Sequence, residues 1–195
     1  MSPASAADAR ALVKHTLAVA GESHFLRAGP GERALTPAMQ TAFLNRLRAQ
    51  DLGFVLKGEW RGRLVAVLSI VRPAQPRLHH RAELGLTVRA ALWGQGIGRR
   101  MAELGIRWAQ AQGVRKLNLS VRADNLRALQ LYRSLGFARE GTSARAVRVG
   151  RRFFSEINLG LCLDPAAAKQ PSDRSSGRRA RGSASPGIPA PAGGS

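Results

Sequence analysis

Hydrophobic positions change their spacing several times along the chain, which predicts that helices and strands alternate. Apolar residues three or four positions apart predict a first helix over residues 7–20. A second helix is predicted to follow Thr36, a favourable N-cap, with Pro37 at its first position. This alternation is typical of an α/β or α+β domain.

Short apolar or alternating runs predict the strands. Residues 53–57 and 64–71 are predicted to form a hairpin, because the segment Glu59–Gly62 between them ends on a glycine. The other predicted strands cover residues 83–88, 117–121 and 152–163. The remaining helices are predicted over residues 98–112 and from a cap at Asp124 to Leu135.

The composition changes near residue 164. Residues 164–195 hold almost no large apolar side chain and are dense in Pro, Gly, Ser and Ala, so they cannot bury a hydrophobic face. We therefore expect one folded domain over residues 1–163 and a disordered basic tail over residues 164–195.

The 195 residues carry 31 Lys and Arg against 12 Asp and Glu, a formal net charge of +19. Such a balance favours anionic partners such as nucleic acid, acidic lipid or a polyphosphate cofactor, although an arginine-rich genome would produce it as well. RNA-binding surfaces usually interleave aromatic with basic residues, and aromatics make up only 5% of this chain. Nucleic acid is therefore expected as a partner only through the basic tail.

Further features of the composition limit the compartment and the kind of site. No apolar run approaches the roughly 20 residues needed to cross a bilayer, and residues 1–5 lack the pattern of a secretory signal. The single cysteine, Cys162, excludes an intramolecular disulfide framework, and the four histidines show no metal-ligand spacing. We expect a cytoplasmic protein without a metal or a membrane partner.

A glycine-rich segment, Trp-Gly-Gln-Gly-Ile-Gly-Arg-Arg at residues 93–100, joins a predicted strand to a predicted helix. Glycines at such a junction let backbone N–H groups turn inward together, and the helix dipole adds positive potential, which suits a pyrophosphate. The segment lacks the Lys-Ser/Thr of a P-loop, and Arg99 stands where the GxGxxG dinucleotide pattern needs its third glycine. This loop therefore favours phosphate binding without nucleotide hydrolysis.

Asn125 and Tyr132 lie seven residues apart, which is two turns along one face of a predicted helix. On that interpretation, an amide and a phenol face one cleft at the edge of the sheet. Alternatively, Asn125 only begins the helix and Tyr132 is a core aromatic. The spacing alone leaves both alternatives open.

The glycine-rich segment and the pattern N-x-x-A-x-x-L-Y-x-x-x-G-F at residues 125–137 together resemble the GNAT superfamily of acyl-CoA-dependent N-acetyltransferases. The resemblance covers about residues 8–163 and includes residues 81–88, which are similar to the family's central strand. It implies an α+β (αβα) fold with a mixed, mostly antiparallel, twisted sheet flanked by helices. In that fold the sheet is splayed between its fourth and fifth strands to hold acetyl-CoA.

The resemblance also implies roles for individual residues. Leu86, Thr87 and Val88 would pair their backbone with the pantetheine arm, and the Val88 N–H would polarise the thioester carbonyl. Asn125 would hydrogen-bond the pantetheine, and Tyr132 would protonate the departing thiolate as a general acid. The pyrophosphate would be bound by Gly94, Gln95, Gly96, Ile97, Gly98 and Arg99.

Three features depart from the family's pattern. Trp93 stands where a polar side chain is usual, and Ser120 stands where the ribosomal-protein N-acetyltransferases carry a glutamate base. Glu83 is then the best carboxylate candidate for the base, unless it is a solvent-facing edge charge or the amine needs no dedicated base. Residues 1–7 match the family's first strand poorly, so that strand is irregular or the start codon lies too far downstream.

The reaction implied by the resemblance is direct attack of an amine on the thioester of acetyl-CoA, which requires no metal. The acceptor is expected to be the primary amine of a small molecule, of amino-acid or antibiotic type. The alternatives are a protein N-terminus or lysine and, from another class, a non-catalytic acyl-CoA- or RNA-associated module. We expect a monomer or homodimer whose residues 25–35 and 72–80 shape the acceptor pocket.

Overall fold

Seven strands form one sheet in the computed structural model, which describes residues 1–32 and 34–164. The strands are β1 (Ser2–Pro3), β2 (Gly53–Trp60), β3 (Arg63–Val71), β4 (Arg81–Val88), β5 (Lys116–Arg122), β6 (Ala138–Val149) and β7 (Arg152–Cys162). Their order in the sheet is β1-β2-β3-β4-β5-β7-β6. Neighbouring strands are antiparallel except β4 and β5, which are parallel.

Four α-helices flank this sheet on its two faces. They are α1 (Ala9–Glu22), α2 (Pro37–Ala49), α3 (Ile97–Ala111) and α4 (Leu126–Ser134). Successive side chains of a strand point to opposite faces, so Leu68 of β3 packs with Met101 of α3, whereas Val67 packs with Leu12 and Leu47 of α1 and α2. The expected αβα arrangement with a mixed, mostly antiparallel sheet is therefore confirmed.

Two local sequence signals have the structure that they predict. The Thr36 hydroxyl accepts a hydrogen bond from the Met39 N–H at 3.2 Å and caps α2, which begins at Pro37. The hairpin between β2 and β3 turns at Arg61 and Gly62, whose φ angles are +48° and +71°. Positive φ at both central residues is the conformation of a type I′ turn, which matches the twist of the paired strands.

The family's short first strand is present at the N-terminus. Ser2 and Pro3 pair with Lys57 and Leu56 of β2, and the Ala4 N–H donates to the Val55 carbonyl at 2.8 Å. A strand of two residues is too short to produce a hydrophobic pattern, so residues 1–7 did not resemble one in the sequence.

The start of α4 differs from the prediction by one residue, because Asn125 and not Asp124 caps the helix. The Asn125 Oδ1 accepts a hydrogen bond from the Ala128 N–H at 3.2 Å. The Asp124 carboxylate instead accepts two hydrogen bonds from the Arg122 guanidinium, at 2.6 and 2.9 Å. An acidic and an amide residue in succession are both good caps, so the pattern could not distinguish them.

β6 is a strand that the hydrophobic pattern does not predict. It forms the outer edge of the sheet, and Val147 is its only buried residue. Its pairing with β7 is interrupted twice, and Arg145 within it has a φ of +52°. An exposed and bulged edge strand needs no alternation of apolar residues. The extended structure of β6 therefore depends on its backbone pairing with β7 and leaves no hydrophobic pattern in the sequence.

Two sequence expectations concern features outside this sheet. Within the described residues, no helix has both the length and the apolar composition that a bilayer requires. The basic tail at residues 164–195 lies outside the described residues except for Asp164. The domain boundary near residue 163 therefore remains a prediction.

Gly53 is expected to be essential for the pairing of β2 with β3. Its φ is +136°, and a Cβ atom there would lie 1.9 Å from the Ile70 carbonyl oxygen. We expect Gly53→Ala to lower the free energy of unfolding by about 3 kcal/mol or more, measured by urea denaturation with circular dichroism.

The matched control for this substitution is Gly113→Ala. Gly113 also has a positive φ, +69°, but its Cβ would meet no heavy atom within 4 Å. The control should lose only the conformational cost, about 1 kcal/mol. Equal losses in the two variants would contradict the clash with Ile70.

Candidate active site

A gap opens in the sheet between β4 and β5. The two strands pair at only three positions, and the last pair joins Glu83 to Asn118. Beyond it, β4 continues to pair with β3 and β5 continues to pair with β7. The gap, defined as the space between residues 84–88 of β4 and residues 119–122 of β5, therefore leaves a strand edge exposed inside the sheet.

The β4 edge presents backbone hydrogen-bonding groups to the gap. The Arg89 N–H donates to the Val65 carbonyl at 2.9 Å, so Arg89 forms a hydrogen-bonded pair with β3. Because such pairs alternate in an antiparallel ladder, Leu86 and Val88 direct their N–H and C=O groups away from β3 and into the gap. These are two of the three β4 residues that the sequence predicted to pair with pantetheine.

The third, Thr87, is held by a buried histidine. The His15 Nε2 of α1 lies 2.9 Å from the Thr87 Oγ1, and the Thr87 hydroxyl also approaches the Val67 carbonyl at 3.4 Å. His15 is 2% exposed, and burial lowers its pKa, so the ring is a neutral imidazole at physiological pH. His15 therefore holds the Thr87 side chain in place on the face of β4 that packs against α1.

The glycine loop, residues 93–98, leads from β4 into the first turn of α3. Gly94 and Gly96 have φ angles of +82° and +75°, and a Cβ atom at either would meet no heavy atom within 4 Å. Gly98 is different, because its Cβ would lie 3.6–3.8 Å from Leu131, Leu86 and Val88. The first two glycines thus leave open space before the N-terminus of α3, where backbone N–H groups favour an anion.

Trp93 attaches this loop to the β4 edge. Its indole N–H donates to the Val88 carbonyl at 2.8 Å, so one of the groups directed into the gap is already occupied. The Arg127 guanidinium lies over the same ring, 4.1 Å from its centroid. The residue that departs from the family's polar pattern therefore positions the loop and places a cation beside it.

Asn125 is the N-cap of α4 and Tyr132 lies within this helix, which begins four residues after the end of β5. The Asn125 side chain caps the helix, and Tyr132 is 6% exposed with its ring edge-on to Phe137 at 5.4 Å. Burial raises the pKa of Tyr132, and no described residue hydrogen-bonds its hydroxyl. Asn125 thus begins the helix and Tyr132 lies in the core, as either alternative allows, and the roles of the two residues toward a cofactor remain predictions.

The two remaining residues of the predicted site differ in their surroundings. The Arg99 guanidinium of α3 donates to the Ser134 hydroxyl of α4 at 2.5 Å and lies 3.6 Å from Glu103. Glu83 is exposed on the face of β4 opposite the α3 side. Arg99 therefore links the two helices beside the glycine loop, while Glu83 is open to an incoming molecule.

A buried arginine that sequence reasoning missed lies at the β5 side of the gap. Arg122, 5% exposed, donates to the Asp124 carboxylate and to the His24 carbonyl. Its guanidinium lies over the ring of Phe154, 3.8 Å from the centroid, and 5.3 Å from that of Phe25. Arg122 thus attaches the segment after α1 to the end of β5.

A second missed residue is Glu156 of β7, which is 6% exposed and paired with Arg27. The one available signal was an acid in a largely apolar strand, in a chain with only 12 acidic residues. Neither residue stands out locally, because Glu156 pairs with Arg27 and Arg122 donates to the His24 carbonyl, both far away along the chain, and only the contact of Arg122 with Asp124 is local.

Residues 72–80, which are expected to shape the acceptor pocket, do not border the gap. Residues 72–80 lie at the end of the sheet where β4 and β5 are paired, since Arg72 donates to the Gln112 carbonyl at 2.6 Å and the Arg115 N–H donates to the His80 carbonyl at 2.7 Å. That end is opposite the gap. The segment after α1, by contrast, reaches the gap through His24 and Phe25.

Among residues 1–32 and 34–164, no group of three or more His, Cys, Asp or Glu side chains is arranged to hold a metal ion.

Comparison with known proteins agrees with this geometry. The model of the acetyltransferase (GNAT) family matches residues 10–137, which is well over half of the chain. The protein belongs to the GNAT acetyltransferase family.

Solved structures share the whole fold. An acetyltransferase of the GNAT family from Streptococcus pneumoniae is 28% identical, with a TM-score of 0.79 over 83% of this chain and 97% of that one. The Salmonella typhimurium protein yncA, solved with its cofactor acetyl-CoA, is 19% identical, with a TM-score of 0.76 over 87% and 96% of the two chains. At that identity the second likeness concerns the fold alone.

Two curated relatives match shorter segments, and both are mycothiol acetyltransferases. The protein of Jonesia denitrificans is 51% identical over 53 residues, which are 27% of this chain and 17% of that protein. The protein of Corynebacterium glutamicum is 35% identical over 78 residues, which are 40% and 26% of the two chains. The matched segments thus span about a quarter or less of these relatives.

An ion pair at the β4 side of the gap should make stability depend on pH. The Glu22 carboxylate at the end of α1 accepts hydrogen bonds from Arg89 at 2.7 Å and from the Ala90 N–H at 2.9 Å. The Arg89 hydrogen bond lowers the pKa of Glu22 below its ordinary 4.5. The stabilisation is therefore present above pH 4.5 and is lost as the pH falls through the lower folded pKa.

Glu22→Gln imitates the protonated carboxyl and tests this dependence. We expect it to lower the free energy of unfolding by about 1 kcal/mol at pH 7, with the difference shrinking as the pH falls below 4.5. Urea denaturation across this pH range measures it. Glu103→Gln, at an exposed pair, is the control and should change little. A loss at Glu22 that does not vary with pH would contradict the ion pair as its cause.

Proposed function

We propose that this N-acetyltransferase moves an acetyl group from acetyl-CoA to a primary amine of a small molecule by direct attack. The proposal depends mainly on the β4 edge at residues 84–88, which pairs with β3 but not with β5. An extended ligand could pair with this edge in the position of a neighbouring strand, next to the open glycine loop. A pantetheine arm has the amides to add to such an edge, and a pyrophosphate suits the loop.

The residues proposed to hold acetyl-CoA fit that ligand. Leu86 and Val88 direct backbone groups into the gap, with Thr87 between them, and Asn125 caps the helix on the other side. Acetyl-CoA would supply an activated thioester, and the Val88 N–H would donate to its carbonyl oxygen. The loop of Gly94, Gln95, Gly96, Ile97, Gly98 and Arg99 would surround the phosphates.

Tyr132 is proposed to donate to the departing sulfur. Because burial raises the pKa of its phenol, the hydroxyl keeps its proton throughout the working pH range. Because a raised pKa makes the phenol a weaker acid, we propose that Tyr132 acts mainly by a hydrogen bond to the departing thiolate and less by complete proton transfer.

The base is proposed to be Glu83, acting directly or through water. It lies at the last paired position before the gap and is exposed on the side from which an acceptor would approach. An amine that arrives partly neutral would need no dedicated base. The two alternatives differ in whether Glu83→Gln lowers kcat.

The choice of a small acceptor over a protein is supported by the segment after α1. Arg27 crosses from that segment to Glu156 of β7, which leaves less room for an extended peptide. Ser120, where a ribosomal-protein enzyme would carry a glutamate, is bonded to Asn158 at 3.0 Å. A protein N-terminus or lysine is the alternative acceptor.

Calorimetric titration of acetyl-CoA into the nucleic-acid-free protein tests the donor, and thiol release with a panel of primary amines tests the acceptor. Micromolar binding with thiol release is expected. Binding without turnover of any amine or peptide would favour the non-catalytic alternative, and a folded protein that binds no acetyl-CoA would overturn the proposal.

Gly96→Val is expected to abolish acetyl-CoA binding in the same titration, because the side chain fills the open loop and strains a φ of +75°. Gly150→Val is the matched control, since Gly150 also has a positive φ, +58°, and an open surrounding, in the turn between β6 and β7. The control should bind normally. Normal binding by a folded Gly96→Val variant would remove the loop from the site.

Tyr132→Phe is expected to lower kcat by about 100-fold while leaving the affinity for acetyl-CoA little changed. The substitution keeps the ring that packs against Phe137 and removes only the hydroxyl. Steady-state kinetics and calorimetry measure the two effects. A wild-type kcat would exclude Tyr132 as the proton donor.

A further inference from the structure

Glu156 is a buried carboxylate on the face of the sheet opposite α3 and α4. Its neighbour Ile157 belongs to the core cluster with α3 and α4, so Glu156 points to the opposite face, which is also the face of Glu83. In the sheet Glu156 lies opposite Arg122, at the end of β5 that borders the gap. The carboxylate is thus placed where the gap meets the segment after α1.

The charge that balances this carboxylate comes from an exposed side chain. Arg27 donates to the two Glu156 oxygens at 2.9 and 2.6 Å, and its own side chain is 69% exposed while that of Glu156 is 8% exposed. Its hydrogen bond to Glu156 raises the pKa of Arg27, and the charge of Glu83 adds to the shift. Arg27 is therefore bound to Glu156 and also feels the negative charge of Glu83.

The two partners differ in burial, and this difference would allow another cation to replace Arg27 at Glu156. A buried carboxylate needs a cation, because an unpaired buried charge is strongly unfavourable. The cation need not be Arg27, whose long side chain loses rotamer freedom to hold this position and gains little burial. The neighbouring guanidinium of Arg122 is already committed to Asp124 and the His24 carbonyl. An ammonium group from outside could satisfy Glu156 equally well.

We propose that Glu156 binds the ammonium group of the acceptor, and that Arg27 occupies this position until the acceptor arrives. Acceptor binding then separates Arg27 from Glu156 and releases the segment after α1 from β7. The proposal rests on the proposed function and adds the residue that recognises the amine. It assigns the acceptor to the class of cationic primary amines.

The first experiment measures ammonium binding without any turnover. Arg27→Ala exposes the carboxylate, so methylammonium chloride should raise the melting temperature of this variant by about 2–4 °C more than tetramethylammonium chloride at equal concentration. Tetramethylammonium has the same charge but cannot donate a hydrogen bond. The wild-type protein should show little difference between the two salts, because Arg27 fills the site.

The double variant Arg27→Ala/Glu156→Gln should lose the methylammonium effect. If the two salts act equally on Arg27→Ala, Glu156 does not bind ammonium and the proposal is overturned. If Arg27→Ala does not fold, Arg27→Gln gives the same test with a side chain that can still donate a hydrogen bond.

The second experiment uses glycinamide as the acceptor and separates the two proposals. Glu156→Gln should raise the KM for glycinamide at least about tenfold, and Arg27→Ala should lower it, while the Kd for acetyl-CoA stays unchanged in both. Glu140→Gln removes a carboxylate at the opposite end of the sheet, paired with Lys116 at 2.8 Å, and should have no effect.

Each outcome has a distinct meaning. Loss of acetyl-CoA binding by the wild-type protein would overturn the proposed function, and the methylammonium test would still decide whether Glu156 is an ammonium site. A higher KM in Arg27→Ala, matching that of Glu156→Gln, would overturn the exchange, because Arg27 would then assist the acceptor instead of yielding to it.

Discussion

The separation of β4 from β5 is the constraint on which the rest of the site depends. A strand edge opened inside a sheet leaves N–H and C=O groups that must find partners. In this chain the Trp93 indole N–H donates a hydrogen bond to the Val88 carbonyl, and this bond attaches the glycine loop to the edge of β4. The same indole ring carries Arg127 on its face. Trp93, at a position where a polar residue is usual, thus positions the loop through its N–H group. Its ring also holds the Arg127 guanidinium of α4 beside the loop.

The end of α1 and the residues after it contact both sides of this gap. Glu22 is bonded to Arg89 and the Ala90 N–H on the β4 side. On the β5 side, Arg122 is bonded to the His24 carbonyl. These contacts are charged and partly or fully buried, so the loss of one partner leaves the other without compensation. The width of the gap therefore depends on the position of the end of α1 and the residues after it. A movement of this segment would alter its contacts with both the β4 side and the β5 side.

Local chemistry made much of this fold predictable. The helix start at Thr36 and Pro37 and the hairpin turn at Gly62 are each determined by a few neighbouring residues. The glycines of the glycine loop likewise indicate the positive φ angles found there. β6 was missed because an exposed edge strand has no inner face to pattern. Glu156 and Arg122 were missed for another reason. Their significance lies in burial and in partners far away along the chain, and neither is encoded by spacing within one element.

The charges around the gap reconcile a strongly basic chain with a cationic acceptor. A net charge of +19 attracts an anionic donor and repels an ammonium ion at long range. At physiological salt that field is screened beyond about 8 Å, so the groups at each entrance matter more than the total. Arg99 and Arg127 lie beside the glycine loop, whereas Glu83 and Glu156 lie on the face proposed for the acceptor. Each entrance thus has side chains of the sign opposite to that of its proposed ligand, and Arg27 balances the charge of Glu156 until an amine replaces it.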